Sequence, residues 1–310
     1  MRVFRSLDEV PAELGPSAVA IGKFDGVHTG HRAVVRRLLQ EAETRSLSSV
    51  VVTFDRHPLA LLRPDLCPAA LVGNEQKLEL LAETGVDATL MVAFDKPFSE
   101  QTPDAFVQSI LVDALRAGVV LVGRDFRFGT RGVGDVVTLT ELGRRLGFEV
   151  VVIDDVVPDG AHRVSSTWIR ALMAQGDVAQ AATLLGSLPT VRSTVVRGAM
   201  RGRELGYPTA NLDPDLEGLV PADGVYAAWL TVRGERHPAA VSVGDNPTFE
   251  GVPARQVEAY ALDQDFDIYG ETVEVAFVQH VRGMERFDSI ESLIARMQQD
   301  EREVRDILAV

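Results

Sequence analysis

Two histidines three residues apart, His28 and His31, sit in the stretch GKFDGVHTGH, residues 22–31. Imidazole nitrogens can donate hydrogen bonds to oxygen, and this spacing sets both rings on one face of a helical turn. The stretch begins with Gly22, Phe24, Asp25 and Gly26, and lies between an apolar run and a helix-like run. A helix start carries unpaired backbone N–H groups and partial positive charge, so the stretch reads as an anion site suited to phosphate. The competing reading is a plain turn at Asp25-Gly26 followed by a solvated helix start. Zinc fits less well, because the pair has no obvious third ligand and lacks the Glu and spacing of HExxH.

A second group lies in VVRGAMRGRELGYPTANL, residues 195–212. Arg192, Arg197, Arg201 and Arg203 fall within twelve residues, with no acid before Glu204. Gly198, Gly202 and Gly206 permit close backbone approach to phosphates. In PTAN, residues 208–211, Thr209 and Asn211 are two apart and face the same way in an extended segment. Hydroxyl and amide oxygens are hard ligands suited to Mg²⁺.

These residues need elements to hold them. The first half alternates apolar runs with helical periodicity: AVAIG (18–22), a helix over 31–45, SVVVTFD (49–55), a helix over 74–85, ATLMVAF (88–94), a helix over 102–118, VVLVG (119–123), a helix over 137–147 and FEVVVIDDV (148–156). The 102–118 helix takes Thr102 as N-cap, Pro103 at its first position and Gly118 as its stop. Alternating β and α with all-apolar strands predicts a parallel sheet covered on both faces. Two short helices, 165–176 and 177–186, follow. From about residue 187 the texture becomes strand-like: 193–198, 224–244 with RGER (233–236) at a hairpin tip, 256–262 and 272–281. A helix over 288–308, with Asp288 as N-cap and Glu291 completing a capping box, closes the chain. The expectation is a small antiparallel barrel or sandwich with a terminal helix, and a boundary near Gly186–Thr190.

Composition narrows the chemistry. The 310 residues favour two domains. A net charge of −14 argues against broad nucleic-acid binding, which needs a basic face. No apolar stretch is long enough to cross a bilayer, and the first residues do not resemble a secretory signal, so the expected location is the cytoplasm. Cys67, the single cysteine, excludes an intrachain disulfide and a Cys-rich metal site. Lys23, Lys77 and Lys96 are the only lysines, against 28 arginines. A Walker A loop or a protein-kinase strand lysine therefore has no place after residue 96. Phosphoryl transfer there must use arginine, Mg²⁺ and backbone.

The first stretch resembles the HxGH signature of the nucleotidyltransferase superfamily, in the form G-x-FDG-x-H-x-GH. That form is typical of the prokaryotic bifunctional riboflavin kinase/FMN adenylyltransferase (FAD synthetase) family. VVTFDRHP (51–58) resembles the family's TFDPHP, with Arg56 replacing proline; VGRDFRFGTRGVGD (122–135) resembles its G-x-DFRFG loop; RVSSTWIR (163–170) resembles its R-x-SST-x-IR. Residues 195–212 resemble the riboflavin kinase signature RGR-x-LG-[FY]-PTAN, which includes Tyr207 and Pro208. VSVGDNPTF (241–249), VEAYALDQDFDIYG (257–270) and RGMERFDS (282–289) continue the likeness, with Asp245 where Thr is common.

The resemblance implies an α/β Rossmann-like nucleotidyltransferase domain over 1–186 and a β-barrel kinase domain with a C-terminal helix over 187–310. It implies phosphorylation of riboflavin to FMN, then adenylylation of FMN to FAD with release of pyrophosphate, both from ATP with Mg²⁺. His28 and His31 would contact the ATP phosphates; Ser165, Ser166, Thr167 and Arg170 would face the departing pyrophosphate. His57, Asp125, Phe126 and Phe128 would lie near the flavin or nucleotide, the two phenylalanines sharing one face as strand neighbours. Glu258 would be the kinase's general base and Arg282 a flavin or phosphate contact. Lys23 occupies a variable motif position and is expected to be replaceable. Partners would be the small molecules ATP, riboflavin and FMN, without nucleic acid or membrane, and with self-association open. Retention of only one activity, or flavin binding without turnover, remain alternatives.

Overall fold

The computed structural model describes residues 1–154, 163–197, 206–244 and 256–310. The chain forms two compact units, Met1–Ser165 and Ser166–Val310.

The first unit runs β1 (Arg2–Phe4), β2 (Ser17–Ile21), α1 (Thr29–Arg45), β3 (Ser48–Phe54), α2 (Pro58–Leu62), α3 (Asn74–Ala82), β4 (Ala88–Val92), α4 (Lys96–Ser99), α5 (Pro103–Phe106), β5 (Ala117–Gly123), α6 (Val136–Leu146) and β6 (Glu149–Ile153). The six strands pair in parallel in the order β1-β4-β3-β2-β5-β6. Every residue of β2 and β4 is buried, as expected of strands covered on both faces. Alternate side chains feed two cores. Val19, Ile21, Val50 and Val52 pack with Ile110, Leu111 and Leu139. Ala18, Ala20, Val51 and Leu121 pack with Val35 and Leu38 of α1 and Leu81 of α3.

The helix expected over 102–118 begins as predicted: the Thr102 hydroxyl accepts from the Ala105 N–H at 3.2 Å, and Pro103 is first. It then widens into π-type turns over Val107–Ala114 and stops at Leu115. Gly118 is no stop signal; it lies inside β5, because the sheet pairs Ser17 with Ala117 and Ala18 with Val119. Arg116, at φ +46°, makes the turn instead.

The second unit runs α7 (Ser166–Gln175), α8 (Val178–Leu185), β7 (Thr190–Val196), β8 (Ala210–Leu212), β9 (Gly224–Val232), β10 (Glu235–Gly244), β11 (Gln256–Ala261), β12 (Thr272–Arg282) and α9 (Ile290–Leu308). Its strands close into an antiparallel barrel, β10-β11-β8-β7-β12-β9, so of the two expected all-β forms the barrel is the one adopted. At the β9–β10 tip Arg233 and Gly234 have φ of +52° and +80°, the two left-handed positions of a tight hairpin turn. The α9 helix seats Val304 and Leu308 against Ala227 and Leu262. Its cap lies one residue later than expected. Ser289, not Asp288, accepts from the Ser292 N–H at 3.1 Å, and Ser292 rather than Glu291 returns the bond.

Candidate active sites

In the first unit, the chain proceeds from β2 through β3 to β4 on one side, then crosses to β5 and β6 on the other. The carboxyl ends of β2 and β5 therefore flank a topological switch point, where open α/β sheets bind ligands. The loop from Gly22 to His28 leaves β2 there. Phe24, Gly26 and Val27 have φ of +48°, +80° and +40°, a conformation that costs a non-glycine residue of order 1 kcal/mol or more. Burial of the Phe24 and Val27 side chains holds it. The Asp25 carboxylate accepts from the Leu71 N–H at 2.8 Å, and the Thr53 hydroxyl donates to the Lys23 carbonyl at 3.0 Å. A Cβ on Gly22 would come within 3.0 Å of the Phe24 ring. The loop is thus fixed from three sides.

His28 is the N-cap of α1, its Nδ1 accepting from the His31 N–H at 3.3 Å. With Nδ1 accepting, the neutral ring carries its proton on Nε2. The two imidazoles stack at 3.7 Å between centroids, and the His31 ring lies 5.1 Å from that of Phe24. Burial, with Arg163 adding to it, lowers His28 to about 4. Burial, the His28 ring, Lys23 and Lys77 hold His31 well below the usual histidine range. Both rings are therefore neutral donors at pH 7. His31 Nδ1 is buried without a hydrogen-bond partner among the described residues.

Other predicted residues gather at the same strand ends. His57 follows β3 and caps α2, its Nδ1 accepting from the Leu59 N–H at 3.1 Å. Asp125, Phe126 and Phe128 follow β5. Asp125 accepts from Arg163 at 3.1 Å. Phe126 and Phe128 lie in a loop rather than on a strand, yet their rings stack at 5.4 Å. They line a cavity of about 400 Å³ with Phe54, Phe94, Phe98 and Phe106. Those four rings carried no spacing signal, since each comes from a different element or its edge. Lys77, which lies in no motif, is also buried there; it donates to the Phe54 carbonyl at 2.8 Å, and burial lowers its pKa. Ser165 closes the first unit, while Ser166, Thr167 and Arg170 lie in the first turns of α7, in the second.

In the barrel, β8 pairs with β11 so that Asn211 stands directly opposite Glu258. Cross-strand partners project to the same face. The Thr209 side chain hydrogen-bonds Glu258, and burial raises the carboxyl pKa against that bond. Thr209, Asn211 and Pro208 line a small cavity of about 90 Å³ with Phe266, Ile268 and Tyr269. Three oxygen-bearing side chains thus converge, a donor set that fits a hard cation. Gly206 has φ +86°, a left-handed position suited to glycine. Tyr207 is buried, its ring 5.1 Å from that of Tyr260. Arg282 donates from Nε and Nη2 to buried Asp300 at 2.7–3.1 Å. Gly198, Arg201, Gly202 and Asp245 lie outside the described residues.

Family models for two enzymes match the chain in series: FAD synthetase over residues 10–168 and riboflavin kinase over 185–308. A bifunctional riboflavin kinase/FMN adenylyltransferase from Listeria monocytogenes is 38% identical over 94% of this chain and 92% of its own length. The chain belongs to the bifunctional riboflavin kinase/FMN adenylyltransferase family. The Escherichia coli member is 36% identical over 100% of this chain and 98% of its own. A solved structure described as a macrolide-efflux protein from Streptococcus pneumoniae superposes with a TM-score of 0.85 at 31% identity, covering 98% of each chain. Among the described residues, no helix of this family member is long and apolar enough to cross a membrane.

Proposed function

We propose that this chain converts riboflavin to FMN in the barrel unit and FMN to FAD at the switch point of the parallel sheet, using ATP in both steps. The observation that carries the reading is the gathering of each family signature into one place: His28 on His31 at the β2 end, and Thr209 on Glu258 opposite Asn211 in the barrel.

In the kinase step, Glu258 takes the proton of the ribityl 5′-hydroxyl as that oxygen attacks the γ-phosphorus of ATP, and ADP leaves. The raised pKa suits it to this exchange. Thr209 and Asn211 would hold magnesium, which neutralises phosphate charge when bound. Gly198, Arg201, Gly202, Gly206, Tyr207 and Pro208 belong to the same loop signature. Of these, Tyr207 serves by packing against Tyr260. Arg282 anchors the end of β12 to α9 through Asp300 and is assigned to flavin or phosphate by family pattern.

In the adenylyl step, an oxygen of the FMN phosphate attacks the α-phosphorus of ATP and pyrophosphate leaves. No covalent intermediate is needed, so positioning and charge stabilisation supply the rate. Neutral His28 and His31 donate to phosphate oxygens. The aromatic cavity takes the isoalloxazine ring, with Phe126 and Phe128 as its wall and His57 and Asp125 at its margin. Ser165, Ser166, Thr167 and Arg170 face the pyrophosphate by family pattern. The functional halves accordingly divide at residues 186 and 187, a reading supported by the riboflavin kinase match, which begins at residue 185. The work is that of a cytoplasmic enzyme on small molecules.

Riboflavin, ATP and Mg²⁺ incubated with the protein and resolved by chromatography should give FMN and then FAD. FMN that never proceeds to FAD would leave a kinase alone; flavin binding without ATP consumption would leave neither activity.

A further inference from the structure

The cavity beside Thr209 and Asn211 is walled largely by one loop, residues 264–269, which follows β11. Backbone bonds fix the loop at its ends. The Leu262 N–H donates to the Pro238 carbonyl at 2.8 Å, and the Gly270 N–H to the Val195 carbonyl at 2.9 Å. Between those ties the Gln264 N–H reaches Ala261 and the Tyr269 N–H reaches the Asp267 carboxylate, both close by in the chain. Side chains from outside the loop must therefore share in holding it.

The β9–β10 hairpin supplies two of them. Arg233, at the tip, donates from Nε to both Glu271 carboxylate oxygens at 2.9 Å and from Nη2 to the Asp267 carbonyl at 3.1 Å. One planar guanidinium thus grips a carboxylate just past the loop and a backbone oxygen within it. His237, four residues on, sets its ring edge-on to Phe266 at 5.3 Å. Phe266 and Asp267 line the cavity, whereas Arg233, His237 and Glu271 stand behind them.

We propose that Arg233 is a positioning residue of the kinase step, holding from the hairpin tip the wall of the cavity that receives ATP. This rests on the reading that Thr209 and Asn211, which line the same cavity, take the magnesium that ATP carries. A wall that moves lowers the fraction of molecules ready to bind, and the apparent affinity falls by that fraction. Glu258 lies on β11, outside the loop, so proton transfer is untouched. Arg233 therefore acts on ATP affinity and not on turnover.

The test follows FMN formation by the full chain from riboflavin, ATP and Mg²⁺. Arg233→Met should raise KM for ATP about fivefold with kcat near its original value, the size set by a partly exposed ion pair and one further hydrogen bond. Arg233→Lys should recover part of the loss, since the charge stays and the fork does not. Glu271→Ala should give part of the rise, because the bond to Asp267 remains, and the double variant should match Arg233→Met alone. The adenylyl step, assayed with supplied FMN, keeps its KM for ATP throughout. An unchanged KM for ATP in Arg233→Met, a fall confined to kcat, or rises that multiply in the double variant overturns the proposal. A Thr209→Val variant whose KM for ATP is unchanged instead overturns the reading that this cavity takes ATP and removes the basis of the proposal with it.

Discussion

Replacing His28 with asparagine separates its capping, donor and titrating roles. Asn caps helices as well as any residue, so its side-chain oxygen should keep the bond from the His31 N–H and the fold should survive at pH 7.5. The imidazole donor is lost, and adenylyl transfer should fall about 10²–10³-fold while FMN formation persists. The titration has its own signature. His28 moves from 6.5 to about 4 on folding. A folded pKa below the unfolded one gives stability that is present above pH 6.5 and lost as pH falls through 4. At 1.36 kcal/mol per pH unit, the loss between those limits is about 3 kcal/mol. His31 is lowered too and adds loss of the same sign. The unsubstituted first unit should therefore lose about 3 kcal/mol more than the His28→Asn variant on acidification. Hydrogen exchange of β2 and α1 amides, corrected for intrinsic rates, reads this difference; an NMR titration of the imidazole Cε1 proton reads the pKa directly. Parallel stability curves for the two proteins, or an imidazole titrating near 6.5, would refute the buried neutral donor.

Glu258→Gln keeps the shape but not the base, so FMN formation should drop about 10²–10⁴-fold, with FAD formation from supplied FMN intact. The unsubstituted kinase should lose activity on acidification at a pH above that of an ordinary glutamate, since protonation removes the base. Gly129→Ala meets both a φ of +70° and a Cβ within 2.8 Å of the Pro103 ring and its backbone nitrogen. It should displace the loop carrying Phe126 and Phe128, seen as a raised KM for FMN with the kinase step unchanged. Asp300→Ala strips both Arg282 and Arg296 of their buried partner and should destabilise the barrel unit by about 3 kcal/mol or more in denaturant titrations.

The two architectures were legible because apolar periodicity is local and strong. Thr102-Pro103 correctly opened its helix, and the Arg233-Gly234 turn fell where RGER predicted it. Helix ends were harder. Gly118 looked like a stop until β2 is seen to pair with that segment, a demand made by residues a hundred positions away. Asp288 lost the cap to Ser289 by one residue, as two capable caps in succession allow. At the sites, residues inside one motif were readable from spacing. Lys23, Lys77 and the rings of Phe54, Phe94, Phe98 and Phe106 were not, because their roles arise where separate loops meet at one sheet edge. Their chemistry is ordinary; only the fold gathers the rings round one cavity and brings the two lysine charges to bear on His31.

The barrel's strand order also dictates when it can exist during synthesis. β7, the first strand to be made, is sealed against β12, and β8 against β11. The seam therefore cannot close until residue 276 has left the ribosome, and α9 must follow before Ala227 and Leu262 are covered. The parallel sheet is complete by residue 153, so the nascent chain can carry a folded adenylylating sheet while its kinase is still an open set of strands. Stalling between those two points exposes unpaired barrel strands, which makes that interval the one in which a chaperone is needed most.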